Sequence, residues 1–369
     1  MSADSIKNDS TPRIRAAQIR LLEKLCNACA VSGDENEVRS IVLDEIRPYT
    51  DQVEVDALGN VLATKTGSSS PRKKRLRVML AAHMDEIGFM LIHREEGNFY
   101  RFDTVGGVDV RQLVGKPVWV GHDHLPGVIG AKPIHLTTSN ERKKTISLDA
   151  LRIDIGLEGN NKVKVGDRAT FATKFTLIGP SLRAKALDDR LGVATLIELV
   201  KHAPENIDLL AAFTVQEEVG LRGAQVAAYA FDPDLGIALD STPAIDLPGW
   251  EQESDLDENS FYNTKLDGGP AIYLADSATL ADPRLIRHFA DTAEAEHIPF
   301  QFRQPGGGGT DAGAIHRSRA GVPSISVSVP ARYIHTAAGI VRLSDWKNTL
   351  ALLHTALARM TPNLLSKAR

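Results

Sequence analysis

The chain has 369 residues, of which 43% are hydrophobic and 24% are charged, and its formal net charge is -4. This balance is typical of a globular protein and excludes the disordered and fibrous classes. The small net charge provides no field that would attract nucleic acid or an anionic membrane, so neither is expected as a partner. We expect two domains, because a single hydrophobic core stops growing at about 250 to 300 residues.

The N-terminal sequence and the cysteines indicate a cytoplasmic protein. The segment MSADSIKNDSTPR contains no apolar signal core, and no apolar run approaches the roughly 18 residues of a membrane span. The two cysteines, Cys26 and Cys29, cannot build a disulfide framework or a four-ligand zinc site. They lie in an apolar-periodic stretch, which favours two core or boundary residues on one helix over a redox dithiol.

Two helices are predicted first, over Ala16 to Ala30 and over Glu35 to Ile46. Ser32 and Asp34 are candidate caps for the second helix. Short strands follow and lead to a continuous apolar strand, Leu76 to Ala82. The first part of the chain therefore combines a helical layer with the start of a buried sheet.

The middle of the chain differs from both ends. From about Phe99 to Ile178, short β-rich pieces alternate with Gly, Pro and Asp turns, which predicts a small all-β module. From Asp189 onward, apolar strands alternate with amphipathic helices, which is typical of an α/β fold with a mixed, mainly parallel sheet and helices on both faces. We therefore expect an α/β domain at residues 1–95 and 178–369, and an inserted barrel-like or PDZ-like β-rich domain at residues 96–177.

Acidic and histidine side chains follow the predicted strands or begin the helices between them. In open α/β sheets, ligands bind at the carboxyl ends of the strands, so these positions are candidates for a binding site. These residues are His83, Asp85, Asp188, Glu217, Glu218, Asp240 and His335. Several carboxylates cannot share one site in ionised form unless positive charge compensates them. A His, Asp and Glu set without a thiolate suits zinc, cobalt or manganese, and the number of ligands suffices for two divalent ions.

Each of these elements has a simpler interpretation when taken alone. Asp188 and Asp189 precede a predicted helix, where carboxylates commonly interact with the helix dipole. A lone histidine after a strand is more often a hydrogen-bonded structural residue than a metal ligand. The occurrence of all these groups at successive strand ends favours the metal site.

Six segments carry a family resemblance. In chain order they are AAHMDEIGFM, KALDDRLG, TVQEEVGLRGA, ALDST, GGGGTDAG and PARYIHT. Together they resemble the tetrahedral aminopeptidases, the dinuclear metallo-aminopeptidases that include glutamyl, leucyl and lysyl enzymes and proteins labelled endoglucanase. The resemblance implies a zinc-peptidase-like catalytic domain and a hydrolase that removes N-terminal residues from short peptides with free N-termini.

The resemblance also implies a role for each candidate residue. Asp188 would bridge two metal ions, His83 and Asp240 would complete one site, and Glu218 and His335 would complete the other. The peptide bond after the bridging aspartate is often cis in such families.

Two further carboxylates receive roles beside the metal ligands. Glu217 would be the general base that takes a proton from the attacking water, and Asp85 would orient His83, since metal-bound imidazoles donate their other N–H to a carboxylate. The inserted domain would join dimers, and six dimers would form a dodecamer.

Two segments depart from the family pattern and leave the substrate preference and the assembly open. The chain has Asp267-Gly268-Gly269-Pro270 where Lys-Gly-Pro is common, and Thr336-Ala337-Ala338 where Ser-Pro and an acid are common. The alternative functions are a related two-metal carboxypeptidase or N-acyl amino acid deacylase, a glycosidase, and a binding protein without activity. The position of the insertion between His83 and Asp188 argues against the first pair, whose extra domain lies later in the chain.

Overall fold

The computed structural model describes residues 11–69, 75–156, 162–248 and 263–366. Its helices are α1 (Ala16–Asn27), α2 (Asn36–Ile46), α3 (Ser139–Arg142), α4 (Leu187–Lys201), α5 (Arg222–Phe231), α6 (Pro283–Ala295), α7 (Ala312–Ile315), α8 (Leu343–Ala358) and α9 (Asn363–Ser366). The strands before α4 are β1 (Gln52–Val55), β2 (Val61–Lys65), β3 (Leu76–His83), β4 (Gly88–Arg94), β5 (Phe99–Val105), β6 (Pro117–Val120), β7 (Leu125–Gly130), β8 (Arg152–Asp154), β9 (Arg168–Phe171), β10 (Thr176–Ile178) and β11 (Ser181–Ala184). The strands after it are β12 (Ile207–Thr214), β13 (Leu235–Pro243), β14 (Ala271–Tyr273), β15 (Gln301–Arg303), β16 (Ser324–Arg332) and β17 (Gly339–Arg342).

The larger domain is built on a mixed sheet, as predicted, and this sheet has eleven strands. Nine strands follow the order β1-β2-β12-β3-β13-β16-β17-β11-β10, and β14 pairs with both β15 and β16. The four central strands β12, β3, β13 and β16 are parallel, whereas β1, β2, β17, β11 and β10 pair in antiparallel fashion. Parallel pairing is therefore largely confined to the centre, because tight turns such as the one between β1 and β2 permit only antiparallel partners.

Helices cover both faces of this sheet, which confirms the prediction. Successive residues of β3 point to opposite faces. Val78 and Leu80 join the cluster that includes α1, α2, α4 and α8, while Met79 and Ala81 join the cluster that includes α5 and α7. The helix α4 is buried along most of its length beneath β3 and β13. Within the described ranges, none of the helices is both long and apolar enough to cross a membrane.

The inserted β-rich segment folds into a closed six-stranded antiparallel barrel with the order β4-β5-β8-β7-β6-β9. Its core is separate from that of the sheet domain. Phe89 packs edge-to-face on Phe102 and Phe171, with ring centroids 5.2 and 5.3 Å apart. The barrel strands run from Gly88 to Phe171, so β4 precedes residue 96.

The first helices differ in detail from the prediction. The residue before α2 is Glu35, and the helix has no side-chain cap, so the prediction that Ser32 or Asp34 caps it is wrong. Ser32 instead donates a hydrogen bond from its hydroxyl to Asp85 at 2.5 Å. Because α1 ends at Asn27, only Cys26 lies on it. Both cysteines are free, and burial raises the pKa of each thiol to about 12.

Candidate active site

The parallel strands bring the predicted site residues to one edge of the sheet. Six of them line a single cavity of about 580 Å³: His83, Asp188, Glu217, Glu218, Asp240 and His335. The seventh, Asp85, is fully buried behind His83. His83 is the last residue of β3, while Glu217 and Glu218 lie in the turn after β12, which ends at Thr214. The cavity therefore lies at the carboxyl ends of the central strands, where α/β sheets bind ligands.

Asp188 lies between the two histidines. One carboxylate oxygen is 3.2 Å from Nε2 of His83, and the other is 3.2 Å from Nε2 of His335. His83 Nε2 is also 3.9 Å from the carboxylate of Asp240, and His335 Nε2 is 3.3 Å from that of Glu218. Two groups of donors therefore share Asp188 as their common member.

Asp189 competes with Asp188 for this role on distance alone. Two sets of three donors have all their ligand atoms within 4.8 Å of one another: His83, Asp189 and Asp240, and His83, Asp188 and Glu218. However, Asp189 already accepts hydrogen bonds from the backbone N–H groups of His83 at 3.2 Å and of Gly192 at 2.9 Å. We therefore favour Asp188 as the shared donor. The peptide bond between Asp188 and Asp189 is cis, as the resemblance predicted.

Asp85 organises the turn that carries both glutamates. It accepts hydrogen bonds from the backbone N–H groups of Glu217 at 3.0 Å and of Glu218 at 3.2 Å. Nδ1 of His83 lies 3.1 Å from the backbone carbonyl of Asp85 and 3.5 Å from its carboxylate. The backbone carbonyl of Asp85 is therefore nearer to the imidazole of His83 than the Asp85 carboxylate is. The carboxylate accepts the backbone N–H groups of both glutamates.

Several buried carboxyl groups in the cavity have raised pKa values, which indicates an excess of acidic groups over basic ones. Burial raises the pKa of Asp240 and of Glu217 well above the ordinary value, and it raises the pKa of Glu218 to about 7. Burial opposes the charge of His335, yet its hydrogen bond to Asp188 raises the imidazole pKa to about 9. Since the protein provides too little positive charge for these carboxylates, the site is suited to bind cations.

A buried ion cluster supports the chain segment behind the site. The carboxylate of Glu86 contacts Nζ of Lys185 at 2.7 and 2.8 Å and Nη2 of Arg190 at 3.2 Å. Arg190 also donates to the backbone carbonyl of Asp85 at 3.1 Å, and Lys185 donates to that of Ala28 at 2.6 Å. The cluster therefore ties the segment after His83 to the start of α4.

The barrel contributes directly to the cavity. Its Gly106 and Gly107 follow β5 and approach the ligand groups closely. Nδ1 of His335 lies 3.0 Å from the carbonyl oxygen of Gly107. A side chain at Gly107 would begin 2.9 Å from that nitrogen, and one at Gly106 would begin 3.3 Å from Glu218. The inserted domain therefore holds the imidazole of His335 in place.

Sequence reasoning missed several residues of the cavity and its surroundings. Asp311, in the segment GGGGTDAG, is buried and accepts a hydrogen bond from Thr214 at 2.5 Å, and its charge contributes to the raised pKa of Glu217. Tyr273 and Arg303 line the cavity and come from β14 and β15, two strands too short for periodicity to reveal. The acid in the glycine-rich segment was a signal for Asp311, whereas no motif indicated Arg303.

A third group of possible metal donors lies outside this cavity, between α2 and the barrel. It consists of Cys29, Glu37 and His124. Glu37 already accepts a hydrogen bond from the backbone N–H of Cys29 at 2.9 Å, and its other oxygen lies 2.5 Å from Nε2 of His124. This group is explained by direct hydrogen bonding between the two domains.

Fold and site together define an α/β protein with an inserted barrel and a cavity of clustered acidic and histidine side chains. The sequence profile described as M42 glutamyl aminopeptidase matches residues 59–352. The chain is 35% identical to a putative aminopeptidase of Acetivibrio thermocellus, over 91% of this chain and 97% of that protein. It is 32% identical to the lysyl aminopeptidase of Pyrococcus furiosus, over 93% and 97%. The chain therefore belongs to the M42 aminopeptidase family.

A solved structure supports the same conclusion. The TET1 peptidase of Pyrococcus horikoshii, described as assembling into a tetrahedron or a large octahedral shell, superposes with a TM-score of 0.79. It is 33% identical to this chain, and the match covers 93% of this chain and all of that one. The resemblance to the tetrahedral aminopeptidases and the predicted fold class are confirmed.

Proposed function

We propose that this protein is a metal-dependent aminopeptidase that hydrolyses the N-terminal residue of short peptides through a water activated by two divalent ions. The observation that carries the proposal is the position of Asp188, whose two oxygens face the imidazoles of His83 and His335 at 3.2 Å each. A carboxylate in this position can serve two cations at once. Asp240 would complete the first ligand set, and Glu218 would complete the second.

The donor set fits such ions. Ligand atoms about 2.0 to 2.1 Å from a tetrahedral zinc ion lie about 3.3 Å from each other. The nitrogen–oxygen distances of 3.2, 3.2 and 3.3 Å around Asp188 and His335 match this value, while Asp240 is 3.9 Å from His83. One carboxylate oxygen of Glu218 is buried and has no hydrogen-bond partner within the described part of the chain. Zinc or cobalt suits these oxygen and nitrogen donors, and manganese is an alternative.

Glu217 is the proposed general base. When bound, the two cations supply the positive charge that lowers the pKa of a water and polarises the scissile carbonyl. Glu217 then accepts a proton on its carboxylate from the attacking water and returns it to the leaving amine. The backbone of Glu217 is held by Asp85, so the carboxylate is fixed toward the cavity.

The requirement for a free N-terminus is the part of the proposal that separates it from the deacylase alternative. A peptide and its N-acetylated form are compared at the same concentration with metal-loaded protein. We expect cleavage of the free peptide and resistance of the acetylated one. Equal rates for both would favour a deacylase or an endopeptidase. The family profile names glutamyl enzymes and one relative is a lysyl aminopeptidase, so family membership leaves the preferred first residue open.

We further propose that the barrel is a dimerisation domain and that dimers assemble into a dodecamer. The division into residues 1–95 and 178–369 for catalysis and 96–177 for dimerisation is part of this proposal. Support comes from apolar side chains exposed on the barrel, among them Ile134 at 71% and Leu136 at 61% exposure. Ile134 lines a surface groove of about 600 Å³. The cytoplasmic location stays a prediction.

A further inference from the structure

Ser32 lies in the loop between α1 and α2 and is buried, with 4% of its surface exposed. A serine shortly before a helix is typical of a cap, yet α2 has no side-chain cap. The loop is instead paired with the chain segment after β3. Val31 forms a parallel β-bridge with Glu86, and the backbone N–H of Ser32 donates to the carbonyl oxygen of Glu86 at 3.3 Å. This pairing brings the side chain of Ser32 to Asp85.

The hydroxyl of Ser32 donates a hydrogen bond to Oδ2 of Asp85 at 2.5 Å. The other contacts of that carboxylate are longer: the backbone N–H groups of Glu217 and Glu218 lie 3.0 and 3.2 Å from its oxygens, and Nδ1 of His83 lies 3.5 Å away. A hydroxyl that donates to a carboxylate forms a charge-assisted hydrogen bond, which is about twice as strong as a neutral one. Ser32 is therefore a main support of the Asp85 carboxylate.

The two oxygens of Asp85 divide these contacts. Oδ1 accepts the backbone N–H of Glu217, whereas Oδ2 accepts both the N–H of Glu218 and the hydroxyl of Ser32. The covalent geometry of a carboxylate restricts its last torsion only weakly, so neighbouring donors must hold it in one orientation. Without the hydroxyl, rotation of the carboxylate would weaken the contacts with both glutamates together.

The loop that carries Ser32 is also held by the barrel. Nε of Arg168, in β9, donates to the backbone carbonyl of Ser32 at 3.3 Å. The next residue, Gly33, has a φ of 84°, which lets the chain turn away directly after the serine. The backbone N–H of Gly33 donates to the carboxylate of Glu35 at 2.6 Å. Because the backbone is fixed on both sides of Ser32, its hydroxyl can restrain Asp85 and does not simply move with it.

We propose that Ser32 is a positioning residue of the candidate active site: through Asp85, its hydroxyl fixes the turn that carries Glu217, the proposed base, and Glu218, a proposed metal ligand. This inference rests on the proposed metal-dependent aminopeptidase function. Within the described part of the chain, Ser32 does not line the cavity, so it acts without touching the substrate. Its loss should therefore lower turnover and metal affinity and leave substrate binding unchanged.

The test begins with Ser32→Ala, which removes the hydroxyl and little else. We expect kcat of the zinc-loaded protein for an aminoacyl p-nitroanilide to fall about tenfold and KM to change by less than about twofold, since partners that orient metal ligands contribute about tenfold to a hundredfold. A second readout needs no turnover. The zinc affinity of the apo protein, measured by competition with a chromophoric chelator, should fall about tenfold as well.

Ser324→Ala is the matched control. Ser324 is also buried, with 2% exposure, and its hydroxyl donates to the carbonyl oxygen of Val322 at 3.0 Å. It begins β16, at the end of the strand opposite the candidate site, so its loss should leave kcat and zinc affinity unchanged. Ser32→Cys keeps the size of the side chain and offers a weak thiol donor, so it should show a smaller loss than Ser32→Ala. It keeps the test usable if Ser32→Ala does not fold.

A double-mutant cycle with Asp85→Asn tests whether Ser32 acts through Asp85. The amide removes the charge that the hydroxyl meets, so Ser32→Ala should lower zinc affinity by less than about twofold in that background, as expected for two members of one network. A general effect of Ser32 on stability would not depend on residue 85. Equal losses of zinc affinity in the two backgrounds would assign Ser32 another route to the site and overturn the inference.

Two further results would overturn the inference and leave the aminopeptidase function intact. One is a wild type that binds zinc and hydrolyses aminoacyl anilides, together with a Ser32→Ala protein of the same kcat and zinc affinity. The other is an equal loss in Ser32→Ala and Ser324→Ala, which would reduce the role of Ser32 to stability. A wild type that neither binds zinc nor hydrolyses any aminoacyl anilide would contradict the proposed function, and the inference with it.

Discussion

The carboxylate of Asp85 accepts a hydrogen bond from the backbone N–H of Glu217 at 3.0 Å. This contact joins the segment after β3 to the turn after β12, and the two residues are 132 positions apart in the sequence. The same carboxylate accepts the N–H of Glu218 and the hydroxyl of Ser32. Asp85 therefore sets the directions of the proposed base and of a proposed metal ligand together.

Removal of the Glu217 carboxylate should stop catalysis but not metal binding. We expect Glu217→Gln to lower kcat by about a hundredfold or more, as is typical when a positioned general base is lost. The amide keeps the size of the side chain and the backbone contact with Asp85. Metal content, measured by mass spectrometry of the dialysed protein, should stay at the wild-type level. A parallel loss of metal and activity would identify Glu217 as a ligand and would shift the role of base to another group.

Two equivalents of divalent metal per chain should be needed for full activity. We expect a chelator to abolish hydrolysis and zinc, cobalt or manganese to restore it, because Asp188 is shared by two donor groups. Activity is followed during stepwise addition of metal to the apo protein. Saturation at a single equivalent would contradict the two-ion proposal, and full activity of the chelated protein would contradict any role for metal.

The buried ion cluster around Glu86 should be a large source of stability. Lys185→Met leaves a buried carboxylate with one partner fewer, and we expect a loss of about 3 to 5 kcal/mol in the free energy of unfolding. Lys201→Met is the control, since its ammonium pairs with Glu45 at 2.6 Å in a partly exposed position. That change should cost about 1 kcal/mol or less. Urea unfolding at equal protein concentration measures both, and equal losses would show that burial of the cluster has no special effect.

The proposed assembly is tested by light scattering of metal-loaded protein. A mass near twelve chains is expected if the barrel joins dimers and the dimers close into a particle. Ile134→Asp, which places a charge in the exposed apolar groove of the barrel, should shift the mass toward smaller species. A stable wild-type monomer would contradict the dimerisation role of the barrel. A mass near two chains would support that role and contradict the dodecamer.

The strongly periodic part of the fold could be predicted from the sequence. β3 and α4 are continuous apolar or amphipathic segments, and their hydrophobic patterns determine the sheet and its helical layers. Several short strands escaped prediction, among them β14 and β15, which have three residues each and acquire their structure from neighbours in the sheet. The hydrophobic pattern within a three-residue segment does not show which strands it will pair with.

Some residues of the candidate site could be predicted from the sequence, and others could not. Residues at or shortly after the ends of long strands, such as His83 and Glu217, could be anticipated because strand order brings their positions to one edge. The contacts of Ser32 and Arg303 could not, since each depends on a tertiary neighbour distant in the chain. Serine is a residue type that commonly caps helices, yet the hydroxyl of Ser32 donates its hydrogen bond to Asp85. Asp189 was assigned to a helix start, whereas its carboxylate also holds the backbone of His83.

The hydrogen bond between His335 and the carbonyl of Gly107 makes the barrel a working part of the hydrolytic machinery. A shortened protein that joins the chain across residues 88 to 171 would retain all seven candidate site residues but lose the support of one imidazole. Such a minimal enzyme would be impaired even in dilute monomeric form. If the barrel also joins subunits, as proposed, an evolving lineage could not delete that contact surface without also altering the candidate active site.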